Sequence, residues 1–222
     1  MRLILLGPPG AGKGTLAARL AQRLSVPHLA SGDILRAEIR QASDLGKTVQ
    51  QYLDSGQLVP DDIIVQVMTH RLSQPDCAAG YILDGFPRTL PQAQALDVSL
   101  SEIRSKIDLV IYMDTGVEVI ISRLAGRRVC PLCDATYHVD NIPPAVAGKC
   151  DHDGAQLQSR PDDVPDVVRT RLVHYQHLTQ PLLDYYAGLG RFYRLDGNGE
   201  IDQIYQQAQE ILSKDVSSVE ES

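Results

Sequence analysis

The sequence lacks any long apolar run. No stretch of the 222-residue chain approaches the roughly 18 apolar residues needed to cross a membrane. The apolar residues between Met1 and Leu6 are also too few for the core of a secretion signal. We therefore expect a cytoplasmic protein with no membrane partner.

The sequence also lacks an excess of positive charge. Its formal net charge is −7 and its pI is about 5.3, whereas nucleic acids and anionic membranes bind to cationic surfaces. This balance argues against both partners. Lysine is scarce, with five residues against sixteen arginines, and the planar arginine fork contacts phosphate or carboxylate at two points. The arginine content indicates local anion sites or a compositional bias of the genome.

The chain does contain an alternation of strand-length apolar runs and helix-period segments. The apolar runs are Arg2–Leu6, Tyr81–Leu83, Ile107–Met113 and Phe192–Leu195. Between them apolar residues recur at helical spacing, as at Leu16, Leu20 and Leu24. This alternation predicts an α/β fold with a doubly wound parallel sheet, in which ligands bind beyond the carboxyl ends of the strands.

Two segments interrupt the alternation. Ser31–Val59 is predicted to form short helices broken at Gly32, Gly46 and Gly56, and to be a helical arm inserted into the sheet topology. Arg127–Val164 holds three of the four cysteines and has little helical periodicity. We expect this second segment to be a small separate subdomain.

A glycine-rich loop follows the first predicted strand and precedes a helix. It reads Gly7-Pro8-Pro9-Gly10-Ala11-Gly12-Lys13-Gly14-Thr15. The backbone N–H groups of such a loop can surround a phosphate, the helix N-terminus adds partial positive charge, and Lys13 can reach the outer phosphates. The loop therefore predicts a nucleotide site, since a plain turn does not explain a lysine at its apex. Gly14 replaces the usual Ser or Thr after the lysine, which leaves Thr15 as the hydroxyl for phosphate or Mg²⁺.

Four motifs in order carry a resemblance to a known family. The loop at 7–15 has the GxPGxGKGT pattern of nucleoside monophosphate kinases, and it is followed by Ser31-Gly32-Asp33-Ile34-Leu35-Arg36, Asp84-Gly85-Phe86-Pro87-Arg88 and Gly126-Arg127-Arg128. With these motifs the sequence closely resembles the adenylate kinase family, in its long form with a metal-bearing lid, up to about Leu212. The resemblance implies the P-loop nucleoside monophosphate kinase fold, the reaction ATP + AMP ⇌ 2 ADP with Mg²⁺, and a monomer.

The resemblance also implies a division of the chain and a set of site residues. The core would comprise residues 1–29, 60–125 and 164–222, with an AMP-binding insert at 30–59 and a zinc-binding lid at 126–163. ATP would contact Gly10, Ala11, Gly12, Lys13, Gly14, Thr15, Arg123, Arg127, Thr136, Tyr137 and Gly199. AMP would contact Ser31, Arg36, Gln57, Leu58, Val59, Gly85, Arg88, Gln92, Arg160 and Arg171.

The implied catalytic residues are mostly cations. They are Lys13, Arg88, Arg123, Arg160 and Arg171, with Asp84 organising Mg²⁺ through water. The chemistry agrees with this set, because phosphoryl transfer gathers negative charges that positioned cations and Mg²⁺ stabilise. Gln92 can present its amide to a base edge.

The second insert contains two cysteine knuckles. Cys130 and Cys133 form the first, and Cys150 begins the second. A closed zinc site needs four ligands, so the fourth is Asp151, His152 or Asp153. Spacing favours Asp153, because it repeats the two-residue gap of the first knuckle. Four protein ligands leave no open position, so the metal is predicted to be structural and coupled to lid folding.

Three other functions share some of these features. The knuckles could form a zinc ribbon that binds RNA or DNA, but the acidic residues of the insert deny it a cationic face. A nucleotide-switch protein would share the phosphate loop but lack the motif from Asp84 to Arg88. Within the kinases, a GTP-dependent AMP kinase or a pyrimidine monophosphate kinase is the remaining alternative.

Overall fold

The computed structural model describes residues 1–41 and 43–220 of the chain. Ala42 of the predicted arm and Glu221 and Ser222 of the predicted core lie outside the described residues. The strands are β1 (Arg2–Leu6), β2 (His28–Ala30), β3 (Tyr81–Asp84), β4 (Leu109–Asp114), β5 (Arg127–Val129), β6 (Thr136–His138) and β7 (Phe192–Asp196). Five of them form one sheet in the order β2-β3-β1-β4-β7, and every neighbouring pair in it is parallel.

Helices connect these strands. They are α1 (Lys13–Leu24), α2 (Ser31–Arg40), α3 (Asp44–Ser55), α4 (Asp61–Leu72), α5 (Leu90–Glu102), α6 (Val117–Gly126), α7 (Pro165–His174), α8 (Pro181–Ala187) and α9 (Ile201–Glu220). A π-helical turn, Tyr175–Thr179, lies between α7 and α8. Within the described ranges, no helix combines the length and the apolar character that a membrane crossing requires.

The sheet is buried on both faces. Leu3 and Leu5 of β1 pack with α1 and α9 on one face, and Ile4 and Leu6 pack with α4, α5 and α8 on the other. Because side chains alternate across a strand, burial on both faces requires a continuous apolar run. The predicted doubly wound α/β fold is confirmed.

The element boundaries differ from prediction at a few places. All four predicted strands are present, but β2 was not predicted, since its three residues contain one large apolar side chain and show no period. Helix α1 begins at Lys13, within the glycine loop, so the lysine lies in its first turn.

The two inserted segments are built differently. The arm consists of α2 and α3, and its Leu35 and Val49 belong to the same apolar cluster as the sheet residues Ile4 and Leu83. The second insert contains the antiparallel pair β5 and β6 and a separate small cluster. Residues of both inserts line the same cleft as the phosphate loop and Asp84, which follow β1 and end β3.

Candidate active site

The phosphate loop closes on itself through its lysine. Gly10 and Gly12 have φ angles of 80° and 95°, which L side chains rarely adopt, and a Cβ on Gly10 would lie 2.8 Å from Cγ of Leu124. The ammonium of Lys13 donates to the carbonyls of Gly7 and Pro8 at 2.8 and 2.9 Å. These bonds use two of its three N–H donors, and the third is available for a bound anion.

Lys13 lies in a crowded cationic environment. Burial, together with the charges of Arg88, Arg171 and Arg127, lowers its pKa to about 8, although Asp84 acts in the opposite direction. Like charges held this close repel one another unless an anion lies between them. A bound polyanion would offset this repulsion, so the site suits a polyanion.

Asp84 stands beside the phosphate loop because β3 pairs with β1, with Leu5 opposite Asp84. His28 Nε2 lies 3.4 Å from its carboxylate. Burial raises the pKa of Asp84, but the hydrogen bond from His28 and the charge of Lys13 outweigh that effect and hold the pKa below its ordinary value. Asp84 and Thr15 both line the cleft, and oxygen donors of this kind suit Mg²⁺.

Five arginines from different elements converge on the same cleft. They are Arg36 of α2, Arg88 after β3, Arg127 of β5, Arg160 and Arg171 of α7. Burial, together with the charges of neighbouring arginines, lowers the pKa of Arg88 and of Arg160 to about 10 each. They stay charged at neutral pH, so the repulsion among them is relieved only by acids or by a bound anion.

Acids hold several of these arginines in place. Both nitrogens of the Arg127 fork contact the carboxylate of Asp163. Arg171 lies 3.0 Å from the carboxylate of Asp162. Arg36 and Arg160 both contact Asp33, Arg160 at 3.5 Å.

Arg123 ties two loops together. Its guanidinium donates to the carbonyl of Ala11 at 2.9 Å and to the carbonyls of Gly197 and Gly199 at 2.8 Å each. It thereby joins the phosphate loop to the segment after β7. Three of its five N–H donors serve these contacts, so it positions the cleft wall as well as facing it.

The cleft has a volume of about 980 Å³, at the upper end of the range for ligand sites. All predicted ATP residues except Ala11 line it. All predicted AMP residues line it except Ser31, Val59 and Gln92, which are buried. Ser31 donates its hydroxyl proton to the Gly85 carbonyl at 2.7 Å.

Comparison with known proteins decides the family. Residues 5–191 match the family described as Adenylate kinase. The chain is 48% identical over 214 residues to the adenylate kinase of Methanothrix thermoacetophila, covering 96% of this chain and 99% of the relative. It is 44% identical to those of Oceanobacillus iheyensis and Archaeoglobus fulgidus, again over 96% of this chain and 100% and 99% of the relatives. The chain belongs to the adenylate kinase family.

The similarity to adenylate kinases supports reversible phosphoryl transfer between ATP and AMP. It does not favour the GTP-dependent or pyrimidine alternatives. In this adenylate kinase fold, the phosphate loop and the arginines line one cleft.

The second insert holds a cluster of Cys130, Cys133, Cys150 and Asp153. Their ligand atoms all lie within 4.8 Å of one another, with Cys133 and Cys150 sulfurs 3.5 Å apart. Tetrahedral zinc with sulfur bonds of about 2.3 Å requires ligand atoms close to this spacing. A hydrogen bond from the Ala155 N–H and another from Cys130 lower the pKa of Asp153 to about 2, so the carboxylate is a negative ligand.

The two knuckles are the same backbone turn used twice. Cys130 N–H donates to the Ala135 carbonyl and Cys150 N–H to the Ala155 carbonyl, both at 2.9 Å. Asp134 and Gly154 occupy matching left-handed positions, with φ of 59° and 72°. Asp153 therefore stands in the second turn where Cys133 stands in the first, which is why it faces the cysteines. Among the described residues, His152 is not in the cluster.

Sequence reasoning missed several residues of the site. The acids Asp33, Asp162 and Asp163 pair with the arginines of the cleft. Their positions close to Arg36 and Arg160 in the chain could have indicated this role.

His138 was missed as well. Its Nδ1 accepts from the backbone N–H groups of Asp140 and Asn141 at 3.1 Å, so Nε2 carries the proton. That nitrogen is buried with no partner among the described residues, and the residue lines the cleft beside Tyr137.

Proposed function

We propose that the cleft holds Mg-ATP and AMP with their phosphates facing each other, and that the chain transfers the terminal phosphoryl group to give two ADP. The observation that carries this is the convergence of five arginines and Lys13 on one cleft. Burial first, and the charges of neighbouring cations second, lower the pKa of Lys13, Arg88 and Arg160 there. Such a field suits two facing phosphate chains better than a single nucleotide.

The donor side is the phosphate loop. Backbone N–H groups from Gly10 to Thr15 surround the outer phosphates of ATP at the N-terminus of α1, and the free donor of Lys13 contacts them. Arg123 and Arg127 flank the same phosphates, and Thr136, Tyr137 and Gly199 line the part of the cleft assigned to the adenosine.

The acceptor side is formed by the arm and the segment after β3. Arg36 and Arg88 bind the AMP phosphate, and Arg88 also acts on the transferring group. Ser31, Gly85 and Gln57–Val59 form the pocket around the nucleoside. Gln92 reads the base edge through its amide. Arg160 and Arg171 lie between the two sides and stabilise the charge that spreads over the transferring group.

Bound Mg²⁺ would neutralise part of the phosphate charge, and Asp84 and Thr15, whose oxygens suit it, would hold it. Asp84 is held ionised by His28 and Lys13 and orients water there. The arm and the lid exclude bulk water from the junction, so that AMP rather than water receives the phosphoryl group.

The lid cluster would hold a structural zinc ion through Cys130, Cys133, Cys150 and Asp153. With four protein ligands the ion has no position for substrate, so its contribution is to the folding of the lid. We place the enzyme in the cytoplasm as a monomer. A reducing compartment keeps the three cysteines available as metal ligands.

The test of the transfer role is Arg88→Ala. Removing a cation that acts on the transferring group should lower kcat by about 10³-fold, while ATP affinity, measured by calorimetry, changes little. Arg169→Ala is the matched control, because Arg169 is exposed on α7 and pairs with Asp166. A kcat within a few-fold of the parent enzyme for Arg88→Ala would remove it from this role.

The substrate pair is tested with a coupled assay across ATP and GTP as donors and AMP, CMP and UMP as acceptors. We expect ATP with AMP to be the preferred pair. A dinucleoside polyphosphate long enough to span both pockets should compete with ATP and with AMP. Competition with only one of them would reduce the proposal to a single nucleotide site.

A further inference from the structure

Asp61 is not among the residues assigned to AMP, but it is hydrogen-bonded to one of them, Gln92. It is the first residue of α4 and lies two positions after the end of the arm at Val59. Its carboxylate accepts a hydrogen bond from Gln92 Nε2 at 2.6 Å and another from the Thr89 hydroxyl at 3.0 Å. Thr89 in turn caps α5 by accepting from the Gln92 N–H at 3.3 Å.

The other end of the Gln92 amide is held as well. Its Oε1 accepts from the backbone N–H of Arg88 at 2.7 Å. A backbone N–H only donates and a carboxylate only accepts, so these two partners determine which end of the amide is oxygen and which is nitrogen. Gln92 is 2% exposed, so solvent offers no alternative partners.

These contacts leave the amide with a defined remaining capacity. A primary amide has two N–H donors and two acceptor lone pairs. Asp61 takes one donor and Arg88 fills one lone pair, which leaves one donor on the Asp61 side and one acceptor on the Arg88 side. The order of these two groups cannot reverse, because a reversed amide would turn its oxygen towards the Asp61 carboxylate and its nitrogen towards the Arg88 N–H.

A fixed order of donor and acceptor on the Gln92 amide distinguishes 6-aminopurines from 6-oxopurines. The edge of a 6-aminopurine offers a donor on the 6-amino group and an acceptor at N1, which pairs with one acceptor and one donor of the amide. A 6-oxopurine offers the opposite order at the same two positions. We infer that Asp61 is a specificity-determining positioning residue that makes the acceptor site select 6-aminopurine over 6-oxopurine monophosphates; this rests on the proposed assignment of AMP to the pocket beside Gln92.

The experiment compares AMP with inosine 5′-monophosphate (IMP) as acceptors, in the parent enzyme and in Asp61→Asn. The asparagine amide can donate to a reversed Gln92, while the Arg88 N–H still opposes reversal. The ratio of kcat/KM for AMP to kcat/KM for IMP should therefore fall by about tenfold, the size expected for one hydrogen bond to a charged group. A purely structural defect would lower both values and leave the ratio unchanged.

Asp62→Asn is the matched control, because Asp62 is the next residue of α4, is exposed and carries the same charge near the same helix N-terminus. Its ratio should equal that of the parent enzyme. A ratio in Asp61→Asn within twofold of the parent value would overturn the inference. If the parent enzyme forms no ADP from ATP and AMP, the proposed function fails instead, so the two failures are distinguishable.

A second measurement needs no variant. Purine riboside 5′-monophosphate has no substituent at C6, so it loses one hydrogen bond to the amide but opposes neither group. With the amide held, the parent enzyme should use it better than IMP, which places an acceptor against an acceptor and a donor against a donor. Equal or better use of IMP would mean that the amide turns freely, and the inference would be wrong.

Discussion

The arm and the second insert, which is our proposed lid, border the same cleft but are stabilised in different ways. The arm residues Leu35, Val49 and Val59 are buried in the apolar cluster that also contains the sheet residues Ile4 and Leu83. The lid has its own cluster of four buried residues, Cys130, Tyr137, Cys150 and Leu157. Two of those four are cysteines of the proposed metal site.

The difference follows from how each insert meets the rest of the molecule. The arm continues an existing core and needs no separate stabilisation. The lid comprises fewer than about 40 residues, a size at which apolar burial alone seldom suffices and a metal commonly supplements it. The arm should therefore unfold with the core, and the lid should depend on its metal.

Among the variants that compare the two inserts, loss of the metal gives the largest expected effect. Cys150→Ser removes one ligand, and the displacement of Arg127 and the lid should lower kcat by about 10²-fold, because small misplacements in a catalytic site cost this much. The main thermal transition should stay close to that of the parent protein. Activity, elemental analysis for zinc and calorimetry measure the three quantities.

The control for the metal is Cys77→Ser. Cys77 is buried beside Arg71, away from the lid, so this variant should keep its zinc. Native protein that contains no metal, or a Cys150→Ser enzyme with the parent kcat, would contradict the proposed dependence of the lid on its metal.

A defect in the arm should act on the whole protein. A Cβ on Gly46 would overlap the backbone carbonyl of Glu38, so Gly46→Ala should force α2 and α3 apart. Overpacking of this kind costs about 1–3 kcal/mol, and because the arm shares the main core, the cost should appear in the global free energy of unfolding. The KM for AMP should also rise.

Denaturant unfolding of Gly46→Ala measures this cost. Gly188→Ala is its control, since a Cβ there meets its nearest atom at 3.5 Å. If Gly46→Ala left the main transition unchanged and affected AMP binding alone, the arm would be an independent unit like the lid, and the comparison would fail.

The pKa of Lys13, a residue of the core, measures how far each insert influences the core. With its pKa lowered to about 8 by burial and by Arg88, Arg171 and Arg127, it is protonated at pH 7 and increasingly neutral above pH 8. Phosphate favours the charged form, so ATP binding should take up to one proton above about pH 8, and ATP affinity should fall by up to tenfold per pH unit there. Calorimetry in two buffers of different ionisation enthalpy measures the uptake.

The lid variant should shift this proton uptake. Because Arg127 belongs to the lid, Cys150→Ser should raise the pKa of Lys13 and move the onset of uptake to higher pH. Gly46→Ala, which disturbs the arm, serves as the comparison and should leave the onset in place. Lys13→Met should abolish the uptake, and uptake that survives in that variant would point to a different group.

The smallest effect concerns the contact between the two inserts. Arg40 of α2 donates to both oxygens of Asp134 in the first knuckle, at 3.1 and 2.8 Å. The pair is partly exposed, so it should contribute no more than about 1 kcal/mol to holding arm and lid together. Arg40→Ala should raise the KM for AMP less than fivefold, and added salt should erase the difference.

A double-mutant cycle with Asp134→Asn measures the pair. A coupling energy near zero at low salt would show that the contact holds nothing together. A coupling that persists at high salt would require contacts beyond this ion pair.

Much of the site could be predicted from the chain itself. The phosphate loop, the motif from Asp84 to Arg88 and the knuckles are contiguous, so residue type and spacing are enough to indicate their chemistry. The β2 strand was not predicted, because three residues show no period, and its order in the sheet depends on pairing with β3. Asp61 was not predicted either, since it lies 31 positions from Gln92 and belongs to no motif.

The amino-acid sequence alone therefore determined the kinds of groups present, namely a glycine loop with its lysine, arginines in place of lysines, and paired metal ligands at matching gaps. The tertiary structure decided which acids hold which arginines, that Gln92 is buried with both ends of its amide occupied, and that the arm shares the core while the lid does not. The reason is physical: hydrogen bonds, ion pairs and burial depend on distances between segments far apart in the chain, which only the packed sheet and its helices bring together.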